Sequence, residues 1–233
     1  MVASVISYVN SAVAALASVG TTITVNVPAG VVDVDFMLRT IGSRAPSLVL
    51  PSPTTGWTLW ETNQVSGAAI GVTRWYRFAS SEPANYALSG LTNGSWAESI
   101  VAFRGVDRAN PKAATSVPTT SGTNFVAPGA ITPLEAGACV IFSEDANLAI
   151  GSATPVWVSN NTTLVGQAQG SGAAVANPAV ICGYLLNSGA LTPNLSVSAG
   201  TFNAGLSLTS VLRPALIRPT LRQTFAVTRA ANY

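Results

Sequence analysis

The chain has 233 residues, of which 48% are hydrophobic and 9% charged, whereas ordinary globular domains carry roughly 25% charged residues. The net charge is +2 and no Lys/Arg cluster is interleaved with aromatics, so nucleic acid is a poor partner, because phosphate binding is driven by basic patches. No apolar run approaches the ~20 residues of a membrane-spanning helix, and there is no histidine, which removes the commonest general base and metal ligand.

Residues 1–20 are apolar and rich in Ala, Ser and Val, without the positive start of a secretory signal. They read as an N-terminal strand or packing arm. Ile23, Val25 and Val27 then alternate with Thr24 and Asn26, the period-2 pattern of a half-buried strand, until Pro28-Ala29-Gly30 breaks it. Further candidate strands lie at 34–41, 57–62, 69–79, 86–88, 96–104, 138–143, 156–158, 162–168, 179–186, 195–199 and 205–213. Gly, Pro, Asn and Ser separate them. Many short strands with frequent turn signals predict an all-β, antiparallel β-sandwich of jelly-roll type over 21–212. Within it, 21–112 and 123–212 echo each other weakly: Trp57 matches Trp157, Tyr76 matches Tyr184, and Arg104 matches Arg213. Two halves completing one sandwich is the preferred reading, because neither half alone has many large apolar residues; two small sandwiches is the alternative.

Charge is unevenly placed. From Ala146 to Leu212 no residue is charged, and no acid follows Asp145. Residues 213–233 then carry Arg213, Arg218, Arg222 and Arg229, with Pro214 and Pro219 favouring an extended chain. Such a basic arm can lie across an acidic neighbouring surface and form bidentate pairs there.

Catalytic chemistry is sparse. Asp33 and Asp35 are the one pair spaced to share a strand face, at the ~5 Å that paired carboxyl chemistry needs. A turn in which they hold backbone amides is the plainer reading. The adjacent Glu144 and Asp145, at a strand end, would point oppositely. No phosphate-cradling loop or nucleophile motif appears, and no cofactor or metal is expected. Cys139 and Cys182 sit in apolar strand contexts and read as buried free thiols, with a disulfide as the alternative. Exposed tryptophan is the usual platform for sugar stacking. Trp57 and Trp60, three apart and so on opposite faces of a strand, are the candidates, with core packing as the competing reading.

The stretch from Thr21 to Asp107 resembles a recurrent β-sandwich domain of tailed-phage structural proteins and some bacterial surface proteins. The resemblance rests on the run Thr21-Thr22-Ile23-Thr24-Val25-Asn26-Val27-Pro28-Ala29-Gly30 and on Asp35-Phe36-Met37-Leu38. It continues through Pro53-Thr54-Thr55-Gly56-Trp57-Thr58-Leu59, Trp75-Tyr76-Arg77-Phe78-Ala79, Glu82-Pro83 and Tyr86, and ends on Ala102-Phe103-Arg104-Gly105-Val106-Asp107. Val34 stands where the domain usually has Gly before the aspartate. These motifs mark a fold rather than a reaction. In such phages the domain is similar to capsid decoration proteins, head fibres and minor tail proteins. The resemblance implies a non-enzymatic virion protein, assembled in the bacterial cytoplasm, with the major capsid protein or other virion proteins as partners. A closed homo-oligomer, a trimer among the options, would protect strand edges. A tail or fibre component, or a surface adhesin, that binds host glycans is the alternative.

Overall fold

The computed structural model describes residues 2–16, 21–44, 55–65, 70–91, 95–115, 118–121, 131, 136–148, 157–159, 162–169, 178–186, 195–197 and 202–217. No helix occurs among them, and every strand pairing is antiparallel. The architecture is an all-β sandwich.

The first half builds a five-stranded sheet from β2 (Ser7–Leu16), β4 (Phe36–Arg44), β5 (Thr58–Val65), β6 (Ile70–Phe78) and β8 (Ser95–Arg104), in the order β2-β8-β4-β6-β5. A two-stranded sheet of β3 (Thr22–Asn26) and β7 (Asn85–Ser89) covers its outer face. The second half builds the facing sheet from β9 (Lys112–Thr115), β10 (Thr119–Ser121), β11 (Cys139–Leu148), β13 (Thr163–Gln169), β14 (Pro178–Leu186) and β16 (Phe202–Leu212). Its order is β10-β16-β11-β14-β13, with β9 also on β16. A small pair joins β12 (Trp157–Ser159) to β15 (Leu195–Val197). When only the strands on each main path are numbered along the chain, both large sheets read 1-5-2-4-3. Tyr76 and Tyr184 fall on the corresponding strands β6 and β14, and Arg104 and Arg213 close the two halves. Trp57 and Trp157 do not correspond, because Trp157 belongs to the small β12–β15 pair.

The sheets stack in register. β13 lies over β2 and β8, β14 over β8 and β4, β11 over β4 and β6, and β16 over β6 and β5. The first sheet is therefore a middle layer, and its strands differ from the outer ones. β3 and β7 alternate buried and exposed residues, as half-buried strands do. β4 and β8 are buried almost end to end. One side of the middle sheet packs Met37, Ile41, Trp75, Trp96 and Ile100 against Ile23, Val25, Tyr86 and Leu88. The other packs Phe36, Leu38, Val101 and Phe103 against Cys139, Ile141 and Cys182. Burying each large apolar side chain contributes about 1.5–3 kcal/mol.

Burial on both faces also draws charge inside. Arg39 and Glu98 form a fully buried ion pair on the β3–β7 side, and the Arg39 guanidinium stacks 5.7 Å from the Trp57 ring and 5.8 Å from Tyr86. Between the two large sheets, Arg74 donates to Leu208 O (3.3 Å) and Ser210 Oγ (2.5 Å) and pairs with Glu61. Thr40 and Ser143 share a 3.1 Å hydrogen bond there. Burial pulls the Arg74 pKa down to about 9, so it stays protonated at neutral pH. β11 runs past the expected 138–143 to Leu148, which places Glu144 and Asp145 inside the strand, fully buried, rather than at its end. Pairing with both β14 and β16 holds that extension in place.

The N-terminal segment is a strand twice over. β1 (Val2–Ala3) pairs with β17 (Leu216–Ile217), and β2 forms an edge of the middle sheet. Ser4 N donates to Ala215 O (2.7 Å) and Ala215 N to Gly105 O (2.8 Å), closing a clasp between the two ends of the described chain. Gly105 has φ +85°, and a Cβ there would lie 2.7 Å from Val5 O, so the clasp requires glycine.

Candidate functional site

The carboxylate pair is structural. Asp35 is fully buried and accepts two bonds from Arg104, Nε and Nη2, each at 2.8 Å, plus one from Val32 N at 2.9 Å. Asp33 accepts from Ser81 N at 2.9 Å. Both organise the turn into β4, and Arg104 and two backbone amides occupy the lone pairs that catalysis would need. Among the described residues no group of three His, Cys, Asp or Glu side chains could hold a metal. Cys139 and Cys182 are free and buried. Burial pushes the Cys139 thiol far up, away from nucleophilic use.

The two tryptophans do face opposite sides, as their spacing implied, but both sides are covered. Each is 7% exposed, so the expectation of an exposed stacking ring is corrected. Trp57 packs under β3–β7, with Arg39 and Arg77 within 5.8 Å of its ring centre. Trp60 packs between the large sheets, and its indole N–H donates to Ser210 Oγ at 3.1 Å. The Lys112 ammonium lies 5.0 Å above the Trp60 ring. A groove of about 300 Å³ beside it is lined by Leu59, Trp60, Tyr76, Asn110 and Lys112. Lys112 is held by Trp60 O (3.3 Å) and Glu61 (3.8 Å). Burial, then the Arg74 charge, lowers its pKa to about 8. The cation therefore occupies the ring face that a sugar would use.

Surface charge is scarcer than composition alone indicates. Six of the 20 charged side chains, Asp35, Arg39, Arg74, Glu98, Glu144 and Asp145, are fully buried. Among the described residues only Asp33, Arg104 and Arg108 are exposed charges. Asp33 and Arg108 sit beside the β4 start and the β8 end, and Arg104 is the last residue of β8. The two flanks of the sandwich then differ. The β5–β9 flank carries Glu61 and Lys112, with Arg74 behind them. The β2–β13 flank carries no charge on either strand.

Of the basic arm, Arg213 lies on the body: its N–H donates to Pro111 O and its carbonyl accepts from Asp107 N, both at 2.9 Å. Pro214 bridges to Val106. The arm thus begins as part of the clasp, and Arg218, Arg222 and Arg229 lie outside the described residues. No described helix is long and apolar enough to cross a membrane.

The uncharged β2–β13 flank was not singled out from the sequence. Its signal was present in the charge-free run 7–16, but edge position depends on strand order, which periodicity does not encode. Comparison with protein-family models, with curated proteins and with solved structures gives no match.

Proposed function

We propose that this chain is a non-enzymatic structural protein of a tailed-phage virion, bound to the capsid surface as a decoration or cement protein. The observation that carries the reading is the near absence of exposed charge on the described body. A surface so poor in charge suits lasting contact with other proteins better than free life in water. The clasp supports it further. It ends the described chain at residue 217 on a body that has almost no exposed acid, so the complement of the basic residues that follow is an acidic surface on another protein, such as the capsid shell.

Quantitative mass spectrometry of purified particles, beside electron microscopy, tests the reading. Many copies spread over the shell are expected; a few copies at a tail or single vertex would overturn the decoration role. Replacing Arg218→Glu together with Arg222→Glu should sharply lower incorporation, and unchanged incorporation would remove the arm from the anchor. Glycan binding by a tail or fibre protein is the competing reading. The covered faces of Trp57 and Trp60 count against it, and a glycan array should give no signal.

A further inference from the structure

A sheet edge presents unpaired N–H and C=O groups, and natural proteins guard such edges with charge, proline or bulges. The β5–β9 flank follows that rule with Glu61 and Lys112. On the opposite flank β2 and β13 lie one above the other, each hydrogen-bonded to a single neighbour, β8 and β14 respectively, among the described residues. Neither strand carries a charge or a proline. The β13 ladder shifts register between Val165 and Ala168, so β13 carries a bulge; the β2 ladder has one irregularity, between Tyr8 and Asn10, and is regular from Asn10 through Leu16, which leaves that stretch the unguarded edge. Val13 is 46% exposed on this stretch.

We propose that two copies of the chain associate through this flank, with β2 of one protomer antiparallel to β2 of its partner across a twofold axis. An unlike partner would select a complementary charge pattern on the edge. A twofold pair is different, because residues near the axis meet their own copies, and a charge of either sign is repelled. A strip free of both signs on two stacked edges is what self-pairing favours. The charged β5–β9 flank would set Glu61 and Lys112 against their own copies. Antiparallel addition would join the two middle sheets into one continuous sheet and satisfy the outward backbone groups of β2. This association does not depend on the virion reading, since it would hold for the purified chain with no particle present.

Sedimentation of the full chain across a dilution series tests it. A dimer that dissociates on dilution is expected, and a monomer at every concentration would overturn the proposal. The double variant Val13→Lys/Ala15→Lys should lose the dimer, while Leu59→Lys on the opposite flank should keep it; a dimer that survives the first and is lost in the second overturns the assignment. Should the double variant fail to fold, hydrogen exchange of the wild type decides. The β2 amides are expected to exchange more slowly at dimer-forming concentration than on dilution, and equal exchange at both would refute the pairing.

Discussion

Val34 adopts φ +72°, a left-handed conformation that costs a β-branched residue about 1–2 kcal/mol. The conformation is held because Val34 N donates to Ala79 O at 2.8 Å and Asp35 closes the turn. Its side chain is half exposed and contributes little packing. Val34→Gly should therefore raise stability by about 0.5–1 kcal/mol after the entropy that glycine loses, read as an increase in the denaturation midpoint. Glu98 gives a second residue-scale expectation. Burial outweighs its bond to Arg39 and raises its pKa from 4.5 to about 6. Over that interval the folded form holds a proton that the unfolded chain releases. The Glu98 contribution is thus fully present below pH 4.5 and is lost as pH rises through 6, a change of about 2 kcal/mol. Asp145, raised by burial, acts with the same sign. Urea melts at pH 4.5 and 7 should show this fall, and Glu98→Gln should flatten it; a wild type equally stable at both would contradict it.

At the scale of elements, most strands were legible in the sequence, and the burial of their faces was legible only where one face is wet. β3 announces itself by alternation and by the Pro28–Gly30 break. The middle-layer strands β4 and β8 were also placed, at 34–41 and 96–104, but the dryness of both their faces was not legible. Arg39 and Glu98 look like surface residues in sequence and are interior ones. The same blindness made Trp57 and Trp60 candidates for sugar contact, since a second cover over the sheet cannot be read from spacing. The turn role of Asp33 and Asp35 was legible, because short acidic side chains beside a strand start commonly hold amides. Gly183 on β14 is a further case. It lies opposite Phe142 on β11, and the phenyl ring covers it so closely that a Cβ would collide with Cζ and Cε1. Gly183→Ala should cost about 1–3 kcal/mol by overpacking, measured by chemical denaturation. Partial recovery in Gly183→Ala/Phe142→Leu would identify the ring as the cause.

At the scale of the molecule, the all-β architecture was legible from strand density and turn residues. The stacking of the two large sheets was not legible, since it is decided by side chains far apart in sequence. Trp60 meets Ser210, and Thr40 meets Ser143. Contacts of this separation make folding slow relative to helical proteins of similar size. The clasp adds a contact between the two extremes of the described chain. Ile6, 1% exposed beside it, belongs to the inter-sheet core. Ile6→Ala should cost about 2–5 kcal/mol, and limited proteolysis should then cut sooner near both ends of the body rather than at one.

The clasp also sets how the molecule bears load. β1 and β17 meet antiparallel, so tension applied between the two ends of the described chain peels their hydrogen bonds apart one at a time. The long ladders of β11 with β14 and β16 are instead bonded along their whole lengths on both sides. A tether pulling on residues beyond 217 would open the two-residue clasp first, extending the chain by a short, reversible step while the sandwich stays whole. A protein anchored through residues beyond 217 would in that way carry its own extensible joint.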